Sequence, residues 1–170
     1  MNVIIISGIV NITDLKHFLI CLSDIGKKHI IIIQALNADL LSGSRHIIFA
    51  VNKALRSFAS GKNIANNPNM EIMLYASGTR QIERALAMGV KAGKNRIAVV
   101  LSGENEMDEA EVEVRGLIDT IDPAVLDYSE SKRDVITKFF NITPEELDAV
   151  GDKKIPELVL ERVALMEVIK

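Results

Sequence analysis

Apolar residues come in short blocks along the first hundred positions. Val3–Ile6 and Ile30–Ile33 are unbroken β-branched runs, the pattern of strands covered on both faces. Met70–Ala76 opens with alternation and carries Leu74 and Tyr75, and Ile97–Leu101 is again continuous, so four strands are predicted. Between them the apolar spacing changes to threes and fours. Leu15, Phe18, Leu19, Leu22 and Ile25 recur at helical intervals, with Thr13 as the N-cap. A second helix from about Ser44 to Ser60 places Ile47, Val51, Ala54 and Phe58 on one stripe. Ile82, Ala85 and Leu86 mark a third, ending near Gly89. This succession over residues 2–101 predicts a layered α/β fold, with packed helices on a mixed sheet of four strands or slightly more.

After Gly103 the pattern becomes helical. Residues 104–122 are rich in carboxylates, Ser131–Asn141 and Thr143–Ala149 read as short helices, and Ile155–Lys170 reads as a longer one. Thr143-Pro144-Glu145-Glu146 is a helix start: a capping hydroxyl, a proline in the first turn, and acids beside the positive dipole end. The expectation is one domain, an α/β core over 1–103 with a helical extension over 104–170 packed on it.

Composition narrows the class. With 170 residues, 48% apolar and 25% charged, the chain is globular and large enough to bury a core without a staple. Its one cysteine, Cys21, excludes an intrachain disulfide and a multi-cysteine zinc site, which suits a reducing cytoplasm. No apolar run reaches the ~18 residues of a membrane helix, and no basic region precedes Val3–Ile6, which speaks against a signal peptide. A soluble cytoplasmic protein is expected. The net charge of −3 hides a division: residues 41–100 carry a net +7 and residues 101–170 a net −10. Such a split predicts two faces with different partners.

Catalytic signatures are missing. The chain has no P-loop, no G-x-G-x-x-G and no G-x-S-x-G elbow. His17, His29 and His46 have no metal-ligand spacing; His17 and His46 read as helix-surface residues and Cys21 as a small core residue. The run Glu104–Glu111 lacks the glycine and terminal glutamate of a calcium loop and reads as a solvated helix start. No cofactor or metal is expected. The best local binding motif is Leu74–Ile82, read as a strand, a Ser77-Gly78-Thr79 turn and a helix opening with Arg80. Hydroxyls, helix-start N–H groups and an arginine could hold a phosphate-bearing ligand there, as in a small enzyme or binding protein, although capping explains the hydroxyls equally. On the helix from Ser44, Arg45, Asn52 and Arg56 share a narrow arc opposite the apolar stripe, with Phe49 beside them and Lys53 at the flank. An aromatic among cations suits single-stranded RNA.

Several segments together resemble one family in order and spacing. They are Gln34–Gly43, His46–Ala50, Gly61–Ala65, Glu71–Ile82 and Gly89–Lys91. The family is the kinase-binding (CGI-type, TPRKB-like) subunit of the KEOPS complex, and the resemblance is specific over about 34–93. It implies an α/β protein without catalytic activity of its own, which binds the complex's small atypical kinase/ATPase. With a threonylcarbamoyl transferase subunit, that assembly completes threonylcarbamoyladenosine beside the tRNA anticodon. Archaeal members are further associated with holding the 3′ CCA tail of tRNA.

Two surfaces follow from this reading. The basic middle is expected to hold RNA through Arg45, Lys53, Arg56, Lys62, Arg80 and Arg84, with Phe49 as a stacking partner. The C-terminal helix is expected to meet the kinase through Leu158, Val159, Arg162, Met166 and Ile169. Arg162 interrupts its principal apolar stripe, as an interface anchor awaiting an acceptor would.

Overall fold

The computed structural model of the chain describes residues 1–168. In chain order it begins with β1 (Asn2–Ile12), α1 (Leu15–His29), β2 (Ile32–Asn37), α2 (Ser44–Ala59) and α3 (Pro68–Ser77). The short α4 (Ile82–Ala85), β3 (Gly93–Gly103), α5 (Asp108–Arg115) and the two-residue β4 (Thr120–Ile121) follow. α6 (Arg133–Phe139), α7 (Pro144–Val150) and α8 (Ile155–Leu165) complete it. The chain divides into two compact units, Met1–Ala38 with Gly89–Val125, and Asp39–Met88 with Leu126–Lys170.

The first unit holds the whole sheet, in the order β2-β3-β1-β4. β1 runs against β3 from Asn2↔Gly103 to Ile12↔Gly93, so Ile6 faces Val99 and Ile4 faces Leu101. This two-residue period puts Ile6, Val10, Ile12, Ile97, Val99 and Leu101 on one face, in a core with Phe18, Leu22 and Ile25 of α1 and Ala110 and Val114 of α5. Gly8 is required by the pairing with β4, because a Cβ there would overlap the Thr120 carbonyl oxygen. The α/β class and the number of strands agree with the sequence reading, but Thr120–Ile121 takes the place of the strand expected at Met70–Ala76. Where the sequence reads as a mixed sheet, every pairing is antiparallel, and the fourth strand is Thr120–Ile121.

α1 is capped by Asp14, whose Oδ1 accepts from the His17 N–H at 3.0 Å, and not by Thr13. At its other end Ile30, read from sequence as a strand residue, is the C-cap at φ 56° and is 77% exposed. The strand begins only at Ile32.

The second unit is helical. Met70–Ala76, expected as a strand, lies inside α3. Asn67 caps that helix through Oδ1, Pro68 opens it, and Gly78 closes it in the left-handed conformation. α3 is apolar nearly all round because Ile72, Met73, Leu74, Tyr75 and Ala76 are all buried. α7 starts at the expected Thr143 cap, and Glu146 completes a capping box in which the two residues exchange bonds to each other's backbone N–H. α8 stops at Leu165, short of the predicted end.

Candidate nucleic-acid interface

α2 buries His46, Ile47, Ala50, Val51, Ala54 and Ser57. The opposite face is open, and Arg45, Asn52 and Arg56 are exposed on it as their spacing predicts. Their span of eleven residues corresponds to about 16 Å along the helix. No hydrogen bond or ion pair holds either guanidinium group among the described residues. Phe49 is half-buried in the same face. The Lys53 Nζ lies 5.0 Å from the Phe49 ring centroid and 2.9 Å from Glu167 Oε2. Held between ring and carboxylate, the Lys53 side chain is only 13% exposed.

The remaining cations divide by what they touch. Lys62 is exposed in the segment after α2. Buried Glu71 holds that segment: its carboxylate accepts from the Ile64 N–H at 3.0 Å, the Ala65 N–H at 2.8 Å and the Ser57 hydroxyl at 3.1 Å. Arg80 Nη1 donates to the Met166 carbonyl at 3.4 Å, and Arg84 Nη2 to the Phe139 carbonyl at 2.9 Å. These two arginines bond the carbonyls at the ends of α8 and α6, where the helix dipole favours a cation. The structure therefore gathers Arg45, Phe49, Lys53 and Arg56 on one helix face and gives Arg80 and Arg84 internal acceptors.

His46, read from sequence as a surface residue, is 1% exposed. Its Nδ1 accepts from the Ser42 N–H at 3.2 Å, and its Nε2–H donates to the Ala76 carbonyl at 2.8 Å. Both bonds need the neutral Nε2–H tautomer. Burial drives the pKa down to about 4, outweighing the Ala76 bond, and Lys132 pushes in the same direction. Lys132 is itself buried and donates to the Leu41 carbonyl at 3.0 Å. Beside the first turn of α2 lies a cavity of about 230 Å³, bordered by Ser44, Arg45, Asp127, Tyr128, Pro156 and Leu160.

The Ser77-Gly78-Thr79 turn does not have the geometry expected of a phosphate cradle. It joins two helices instead of following a strand. The Gly78 and Thr79 N–H groups donate to Tyr75 and Leu74 carbonyls, Ser77 Oγ donates to Leu74, and Thr79 Oγ1 accepts from the Gln81 N–H. The Gly78 and Thr79 N–H groups and the Ser77 hydroxyl are thus already engaged within the turn. Cys21 is half-buried instead of core, with its Sγ 3.5 Å from Nε2 of exposed His17. His29 and Lys28 both bond Glu113 Oε1, at 2.8 and 2.9 Å. The acidic run after Gly103 supplies Asp108, Glu109 and Glu111 to the first turn of α5, as its charge predicts.

Leu158 and Val159 of α8 and Met166 just past its end are buried within this chain, and Ile169 lies outside the described residues. Arg162 does not wait for a partner's acceptor. Its Nε donates to the Phe140 carbonyl at 3.2 Å, and its Nη2 donates to the Asn141 carbonyl at 3.1 Å and to Glu146 Oε2 at 2.7 Å. The guanidinium in turn holds the Glu146 carboxyl down to about pKa 2. Outward apolar area past this stripe comes from Leu165 and Val168, 39% and 70% exposed.

Sequence reading missed Glu71 and Glu167. Glu71 carried a legible signal, a lone carboxylate within an apolar run. Glu167 carried none, since its partner is 114 residues away.

Comparison with known proteins adds a family relationship. Residues 7–167 match the family described as kinase binding protein CGI-121. The regulatory protein Cgi121 of Methanocaldococcus jannaschii is 33% identical over 138 residues, covering 81% of this chain and 84% of that one. The KEOPS complex subunit Cgi121 of Pyrococcus abyssi is 36% identical over 64 residues, 36% of this chain and 37% of its own.

Proposed function

Because this chain belongs to the CGI-121 family of kinase-binding proteins, we propose that it is a non-catalytic, cytoplasmic regulatory subunit of the KEOPS complex. In this reading it binds the complex's small atypical kinase/ATPase and supports threonylcarbamoyladenosine modification of tRNA. It further holds the 3′ CCA tail of tRNA along the outward face of α2. The observation that carries the RNA part is the pair of guanidinium groups, Arg45 and Arg56, which have no acceptor among the described residues and lie on either side of Phe49 and Lys53. Arg45, Lys53, Arg56 and Lys62 meet phosphates, Phe49 meets a base, and Arg80 and Arg84 contribute positive potential with the donors they have left. α8 contributes to the kinase-binding surface through Leu165 and Val168, with Leu158, Val159 and Met166 packed beneath and Arg162 fixing the helix.

The RNA reading is tested by anisotropy with a tRNA ending in CCA and the same tRNA trimmed of that tail. Affinity for the intact tRNA should fall with salt at a log–log slope of about −0.7 per single-strand phosphate contact. Arg56→Glu should weaken it with the circular dichroism spectrum unchanged. Equal affinity for parent and variant, or indifference to the tail, rejects the interface.

A further inference from the structure

The basic face of α2 contains one cation that is not available as it stands. Lys53 flanks the arc that holds Arg56, yet its ammonium is neutralised by Glu167 at 2.9 Å and laid over the Phe49 ring at 5.0 Å. We propose that Glu167 stands in for an RNA phosphate. It parks Lys53 against Phe49, and an incoming strand displaces the carboxylate, which frees the lysine for a phosphate and the ring face for a base in a single step. This inference rests on the reading of α2 as the RNA face.

The geometry supports displacement at small cost. Glu167 is 41% exposed on its side chain, so its bond to Lys53 is open to solvent and to competing anions. It stands on a turn beyond the end of α8, closed by local bonds of 3.2 Å from Met166, 3.4 Å from Glu167 and 3.1 Å from Val168. The Arg80 bond to the Met166 carbonyl is also long, at 3.4 Å. A phosphate offers Lys53 the same charge-assisted acceptor as the carboxylate and leaves Glu167 to be hydrated. Phe49 alone could not stack a base on the face that Lys53 covers. The carboxylate therefore couples two contacts, and an anion that brings no base gains only one of them.

The test is a double-mutant cycle on tRNA ending in CCA. Glu167→Gln should tighten binding about two- to fivefold, the range an exposed ion pair supports. The gain should vanish in the Lys53→Met background. A gain that survives Lys53→Met is general removal of negative charge and overturns the proposal, as does no gain at all. If the parent binds, Arg56→Glu weakens binding, and Glu167→Gln changes nothing, the inference alone fails. If neither parent nor variants bind, the RNA face fails with it. A second readout needs no RNA. In the free protein, acetic anhydride followed by mass spectrometry should label Lys53 more slowly than Lys62, and Glu167→Gln should remove the difference. Equal labelling of the two lysines in the parent overturns the parked geometry.

Discussion

His46 Nε2 lies 2.8 Å from the carbonyl oxygen of Ala76, joining the first turn of α2 to the end of α3 inside the helical unit. The unfolded chain protonates this ring below about pH 6.5, whereas the folded chain keeps it neutral down to about 4. The associated stability is complete above pH 6.5 and drains away as pH falls toward 4, by about 3 kcal/mol in all. Urea unfolding at pH 7 and 4.5 should show most of this loss, and His46→Phe should flatten the difference. A parent protein equally stable at both values contradicts the buried neutral tautomer.

Glu71 is fully buried and accepts three bonds. Glu71→Ala strands three donors, two of them buried, and should cost about 3–5 kcal/mol in denaturant unfolding. The segment carrying Lys62 should then exchange its amide hydrogens faster. Unchanged exchange at Ile64 and Ala65 would show that the carboxylate does not hold them.

Ile30 holds a left-handed backbone with its β-branched side chain in solvent. That conformation costs an L-residue about 1–2 kcal/mol. Ile30→Gly should therefore raise stability by about 1 kcal/mol, seen as a higher melting temperature. A lower melting temperature would mean the side chain contributes packing that its exposure does not reveal.

Arg162 bonds two carbonyls and one carboxylate between α6 and α7. Arg162→Ala should destabilise by about 2–3 kcal/mol. The Glu146 carboxyl, freed from the guanidinium, should titrate upward from about 2 toward its ordinary value near 4.5. Glu146 favours folding above pH 4.5, and its contribution is lost as pH falls toward 2. Carboxyl chemical shifts followed through a pH titration would register the move, and an unshifted midpoint would refute the pairing.

The kinase surface is approached by comparing neighbours on one helix end. Leu165→Asp should weaken kinase binding in a calorimetric titration while the melting temperature stays nearly constant. Met166→Asp, at a position 2% exposed, should lower the melting temperature by several degrees. Full kinase affinity in Leu165→Asp would remove this end of α8 from the interface.

Most of the fold was legible where one period dominated. α2 is read correctly because its apolar stripe follows a helical repeat over four turns, and the same count exposes Arg45, Asn52 and Arg56. α3 was misread because a helix buried nearly all round loses its periodicity and looks like a covered strand. Its true signals were the punctuation: Asn67 and Pro68 before it, Gly78 after it. β1 was cut short at Ile6 because Ser7 and Gly8 interrupt the apolar run, and only the approach of Thr120 explains the glycine. His46 sits one position from the apolar stripe, so a polar side chain with two backbone partners could not be told from a surface one. Arg162 and Lys53 depend on acceptors 16 to 114 residues away, and such pairings leave no mark on local spacing.

β1 and β3 form the longest ladder in the molecule, eleven residues on each strand. Their closest paired residues are nonetheless roughly 80 positions apart, and the intervening chain includes Asp39–Met88 of the other unit. During synthesis at about 5–20 residues per second, β1 therefore leaves the ribosome many seconds before its partner exists. Through that interval the nascent chain holds an apolar strand with both edges bare, which invites pairing with other chains. Loop closure over such a distance also makes this ladder slow to form after denaturation. Ribosome-stalled chains ending near residue 90 are consequently the species most in need of a chaperone, and release past Gly103 ends that dependence.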